Sequence, residues 1–154
     1  MLGSKSNYFY LPKPVLKSNR LKLFRYLIDN DYTMEQVAIY QKAFDYFCEN
    51  PSKYDGATIV KDLHHIPGLD INAMLHDYHY LHYKCAGNLF IKWKCDWLYA
   101  KEMERTGKGY LAWFNFALLK ITGIPFFIYT YLKNGAPDCD KKRIFINEYK
   151  TLLK

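Results

Sequence analysis

The chain has 154 residues, half of them hydrophobic and 18% aromatic, with a formal net charge of +7. That length suffices for one domain with a core built without crosslinks, and the apolar fraction argues against disorder. The charge is uneven, +4 over residues 1–32, −3 over 33–75, +4 over 76–137 and +2 over 138–154, so the basic ends are the parts suited to an anionic surface, phospholipid headgroups or nucleic acid.

A lysine-rich soluble protein would read the same way. No nucleic-acid-reading motif accompanies the charge, so nucleic acid is a minor partner class. Few segments alternate cleanly and several carry three-to-four spacing, which predicts a mainly α fold. Cys48, Cys85, Cys95 and Cys139 stand far apart with no CxxC pair. They read as reduced, partly buried thiols, and no disulfide-linked partner is expected. The N-terminal MLGSKSNYFYLPK has no apolar run of secretory length, so a reducing cytosol is expected.

Residues 1–32 are expected to form an N-terminal extended arm, because Pro12 and Pro14 block a helix. RLKLFRYLI (20–28) is ambiguous between strand and helix, and the reading leans towards strand or irregular structure. Residues 33–154 are read as a single helical domain. Thr33 with Gln36 makes a capping box for a helix whose Val37, Tyr40, Phe44 and Phe47 share a face until Asn50-Pro51. The Gly, Pro and Asp punctuation of residues 51–69 predicts a loop. Gly56 there could turn carbonyl oxygens towards a hard cation such as Ca2+, or the segment is an ordinary connection.

Asp70 reads as the N-cap of a helix running to about Cys85. At about 100° per residue, Ile71, Met74, Leu75, Tyr78, Leu81 and Cys85 gather on an apolar back. His76, Tyr80 and Tyr83 form a polar front, with His79 nearby. Gly87-Asn88 breaks this helix, and a second follows to about Arg105. Its wheel surrounds Asp96 with Leu89, Trp93, Ala100 and Met103, while Lys94, Lys101 and Arg105 point away. A carboxylate in an apolar stripe is costly unless paired. Two antiparallel helices would set His76 opposite it.

Residues 110–132 raise the question of a membrane span, but Asn115, Lys120, Gly123 and Pro125 interrupt the run and the lysine is expensive in hydrocarbon. A buried helix pair broken near Gly123 to Pro125 is the favoured reading, ahead of an interfacial surface and then a span. The last stretch, DKKRIFINEYKTLLK, reads as a short amphipathic helix or tail.

In chemical terms, His76 could take a proton from water while Asp77 holds a cation, and Asp96 could fix the imidazole tautomer and stabilise its charged form. Tyr80, one turn after His76, strengthens the pattern. The HxxHxxH run of His76, His79 and His82 spreads over about 120° of the wheel, too wide for one metal site. His79 and His82 are therefore expected to be solvated or partner-facing, as are His64 and His65.

KYDGA (53–57), HDYHY (76–80), Gly87-Asn88, Trp93 and Asp96 resemble the phospholipase A2 domain of parvovirus capsid proteins, in which a YxG calcium loop precedes HDxxY. The order YDGA, LHDYHY and CDxxYxxxM is also similar to a small domain of unknown function from tailed phages. The likeness covers residues 53–104. It implies His76 as general base, Asp96 as its orienting acid and Tyr80 as a hydrogen-bonding support. It also implies Ca2+ held by Asp77 and by carbonyls near Tyr54, Gly56 and Thr58. A virion or host-cytoplasm location follows, with an anionic phospholipid membrane or other virion proteins as partners. The chain departs from the pattern in following Gly56 with Ala57-Thr58 instead of a second glycine, and in a slightly short interval from His76 to Asp96.

Three functional classes emerge: a calcium-dependent lipid esterase, a virion structural protein that keeps the fold without catalysis, and an HD-type metal phosphohydrolase. LDINAMLHDYHY resembles the central helix of the third, but the Gly-Lys or Gly-His that commonly follows is missing.

Overall fold

The structure is a computed structural model that describes residues 19–54, 69–83, 88–105, 109–135 and 138–154. It is mainly α, with no strand among the described residues. The helices are α1 (Arg20–Asp29), α2 (Met34–Glu49), α3 (Leu69–His82), α4 (Leu89–Arg105), α5 (Gly109–Asn134) and α6 (Cys139–Leu152), with a 3-10 turn at Pro51–Lys53. By contacts the chain divides into two compact units, Met1–Leu75 and His76–Lys154.

In the first unit, RLKLFRYLID is helical where a strand or irregular segment was expected. Three-to-four spacing decides the matter: Leu23, Tyr26 and Leu27 are buried together, and α1 packs on α2. Arg20 adds an exposed ion pair to Asp45 at 3.0 Å. The α2 capping box forms as expected, with Thr33 Oγ1 accepting from the Gln36 amide and Gln36 Oε1 accepting from the Thr33 amide. Such a cap contributes about 1 kcal/mol. Val37, Tyr40, Phe44 and Phe47 are all buried, and the Tyr40 hydroxyl donates to Asn72 Oδ1 at 3.0 Å. Helix α3 begins at Leu69, so Asp70 lies in its first turn instead of capping it.

In the second unit, α4 packs against α5 and α6. Its core includes Tyr78, Ile91, Cys95, Leu98, Met103, Phe145 and Leu152. Helix α4 has the expected limits, but its buried stripe is rotated from the predicted one. Leu89 and Trp93 are exposed, whereas Ile91, Lys92, Cys95, Asp96, Tyr99 and Met103 are buried.

The 110–132 region is one helix, α5, instead of a buried pair broken near Gly123 to Pro125. Pro125 sits inside it on the exposed side, where water can serve the carbonyl that a proline leaves without its amide partner. Among the described residues no helix is long and apolar enough to cross a membrane. The tail is the amphipathic helix α6, capped by Asp138, which accepts from the Lys141 amide at 2.7 Å.

Candidate functional site: a buried histidine and aspartate network

Two helices each supply a pair of side chains four residues apart, the spacing that puts both on one face. Helix α3 gives His76 and Tyr80, and α4 gives Lys92 and Asp96. His76 Nε2 lies 2.9 Å from Asp96 Oδ1, and the Tyr80 hydroxyl donates to the same oxygen. The other carboxylate oxygen, Oδ2, accepts from Lys92 Nζ at 2.6 Å. The Asp96 side chain is fully buried and that of His76 nearly so. The cost expected of a carboxylate in an apolar stripe is thus offset by three donors.

On its other edge, His76 Nδ1 faces Asp77 Oδ1 at 3.6 Å. Tyr80 and Tyr99 pack around the imidazole, their ring centroids 4.2 and 5.4 Å away. Burial opposes the charged imidazole, but hydrogen bonding to Asp77 and Asp96, reinforced by their charges, outweighs it and pushes His76 up to about 9. Burial likewise opposes ionisation of Asp96, and the bonds from His76, Lys92 and Tyr80 reverse the balance and lower its pKa. At neutral pH the site therefore holds a charged imidazole against the Asp96 carboxylate, with Asp77 at its other edge and Lys92 on the far side of Asp96.

Lys92, which no sequence motif marks, is the link to α5. Its Nζ also donates to the Leu119 carbonyl at 3.2 Å. A Cβ on Gly123 would stand 2.7 Å from that Nζ and 2.8 Å from Cε, so this glycine is a close-approach position and not a helix break. The atoms met are the far end of a lysine, but Asp96 and the Leu119 carbonyl hold it in place. Gly123→Ala should therefore cost about 1–3 kcal/mol in overpacking against the roughly 1 kcal/mol that alanine gains over glycine in a helix, a net loss of at most about 2 kcal/mol. The urea midpoint reads the sign directly.

A second buried cluster lies one turn further along α3. His79 Nε2 is 3.2 Å from Glu148 Oε2 of α6, the Tyr83 hydroxyl donates to Glu148 Oε1 at 2.6 Å, and Tyr78 donates to Tyr83 at 3.3 Å. His79 was expected to be solvated or partner-facing. It is instead 1% exposed, because α6 brings a carboxylate to it. His82 is half-buried, with its ring stacked on Tyr78. The signal for Glu148 was available: it lies between Phe145 and Leu152 on a buried stripe, the pattern that singled out Asp96.

For the calcium reading, Asp77 supplies one hard oxygen donor and is 24% exposed. Tyr54 belongs to the first unit, where it is buried beside Phe47. Gly56 and Thr58 lie outside the described residues, as do His64, His65, Cys85 and Gly87. Among the described residues no group of three or more His, Cys, Asp or Glu side chains is suited to a metal ion. Of the residues expected to hold calcium, Asp77 is the described one that stands beside His76.

Comparison with known proteins returned no matching family model, no matching curated protein and no matching solved structure.

Proposed function

We propose that the second unit carries a phospholipase A2-like ester hydrolase site of viral or phage type, with His76 as base, Asp96 as orienting acid and Tyr80 as support. The observation that carries this reading is Asp96 Oδ1, shared between His76 Nε2 and the Tyr80 hydroxyl. That is the connectivity implied by the likeness of HDYHY and CDxxY to the capsid phospholipases. With Nε2–H donated to Asp96, the lone pair of neutral His76 stands on Nδ1. From there it takes a proton from water as the water oxygen attacks the ester carbonyl, and it returns the proton to the departing alkoxide as the acyl–oxygen bond breaks. A Ca2+ bound at Asp77 would supply polarisation of that carbonyl.

The base works only when neutral, and the two carboxylates hold His76 charged up to about 9. Hydrolysis should thus rise with pH as His76 loses its proton, and Ca2+ on Asp77, by engaging one of the two carboxylates, would move that rise to lower pH than in the Ca2+-free chain. Initial rates on a soluble short-chain phospholipid, taken from acid to alkaline pH with Ca2+ present, test this. A rate that is flat, or that falls as pH rises, over the whole range would overturn the assignment of His76 as base.

One observation favours a second reading, a virion structural protein that retains the site without catalysis. Lys92 gives Asp96 a buried counter-charge of its own, which an orienting acid does not require. Such a protein would sediment with virions and release no fatty acid.

A further inference from the structure

Helix α5 turns a long apolar face to solvent. Tyr110, Phe114, Ile121, Ile124, Ile128 and Leu132 are all exposed, Tyr110 by 73% and Leu132 by 79%. At about 100° per residue they fall within an arc of about 80°, and they run about 33 Å along the helix. A continuous patch of that kind marks an interaction surface. The helix carries two lysines and no acid, and no acid occurs between Glu104 and Asp138. Lys120 and Lys133 stand on opposite flanks of the stripe, both exposed. Lys120 Nζ lies 5.3 Å from the centroid of Trp93, itself exposed on α4, and Lys133 Nζ lies 5.7 Å from that of Tyr129.

We propose that this face of α5 is a docking surface for an anionic phospholipid bilayer, with the helix lying in the interfacial plane. Apolar side chains along the middle would enter the acyl boundary, and lysines at both edges would reach the headgroups. Charge decides the occupant. The three-to-four spacing of the stripe could also seat a second copy, but a copy would bring further lysines and no carboxylate to meet them, whereas anionic lipid is complementary. The opposite side of α5 accepts from Lys92, the partner of Asp96. Docking would therefore bring the bilayer within about one helix diameter, roughly 10–12 Å, of the network. This offers the hydrolase reading a lipid surface, but the docking stands without it.

The test is co-sedimentation of the full chain with vesicles, one set of phosphatidylcholine alone and one with equimolar phosphatidylglycerol. The protein should bind the anionic vesicles and release as salt is raised. Lys120→Ala and Lys133→Ala should each weaken binding about fivefold. Ile121→Glu combined with Ile128→Glu should weaken it at least about a hundredfold, while leaving the melting temperature and any hydrolysis of soluble substrate unchanged. His76→Ala should bind as the parent does, so hydrolysis can fail while docking holds. Failure of the parent chain to bind anionic vesicles would overturn the proposal. So would a dimer in solution that the double glutamate variant splits while vesicle binding persists, since the stripe would then be occupied by a second copy.

Discussion

Asp96→Ala should destabilise the second unit by about 3–5 kcal/mol, the cost of breaking a buried ion pair from one side. Asp96 has no exposed side-chain surface, and its two oxygens take His76, Tyr80 and Lys92. Its removal leaves an imidazolium and an ammonium in a site with too little negative charge. Lost packing is the smaller part, because few carbon atoms are removed. Lys92→Met on its own keeps the bonds from His76 and Tyr80, and should cost less. Combined with Asp96→Ala it should recover part of the loss, since the second buried charge is gone. Denaturant unfolding of the two single variants and the double one gives the coupling directly. Additive losses would mean that the pair is not a unit.

His76→Gln should lower ester hydrolysis by about 10²–10⁴-fold, the usual contribution of a positioned base, with the fold retained. Glutamine can still hydrogen-bond near Asp96, and Tyr80 and Lys92 remain in place. The same substitution should flatten the dependence of stability on pH. His76 binds its proton up to about 9 in the folded chain, against an ordinary 6.5. Between these values the native state holds more protons than the unfolded one. The stabilisation is full below 6.5 and is lost as pH rises through about 9. Its size is roughly 3 kcal/mol, since a tenfold change in proton affinity is worth about 1.4 kcal/mol. Asp96 acts in the opposite sense: its lowered pKa gives stability above the ordinary carboxylate value that is lost as pH falls through the folded one. The stability of the Ca2+-free chain should therefore decline on the alkaline side, and His76→Gln should remove that decline.

Much of the site was legible because isolated charges on apolar stripes are informative. Asp96 stood out among apolar neighbours, and the structure supplies His76 as a partner, together with Tyr80. Lys92 escaped notice although it sits four residues before Asp96, because a lysine is assumed to reach solvent. Here it is buried and tied to both α4 and α5. Glu148 and His79 were missed for a related reason: the wheel of α3 cannot show that α6 will cover its polar side. Helix limits followed local signals closely where caps were present, at Thr33 and at the α4 break. They failed where propensity was ambiguous, at residues 20–29, and where Gly123 and Pro125 read as breakers. In α5 the glycine answers to Lys92 and the proline to solvent, neither of which a local reading contains.

The most direct measurement of the central claim is fatty-acid release from anionic phospholipid vesicles at alkaline pH, with and without Ca2+, for the parent chain and His76→Gln. A hydrolase of this type should release fatty acid only with Ca2+ and only when His76 is present. Equal release by both proteins, or none from the parent under any of these conditions, would contradict it.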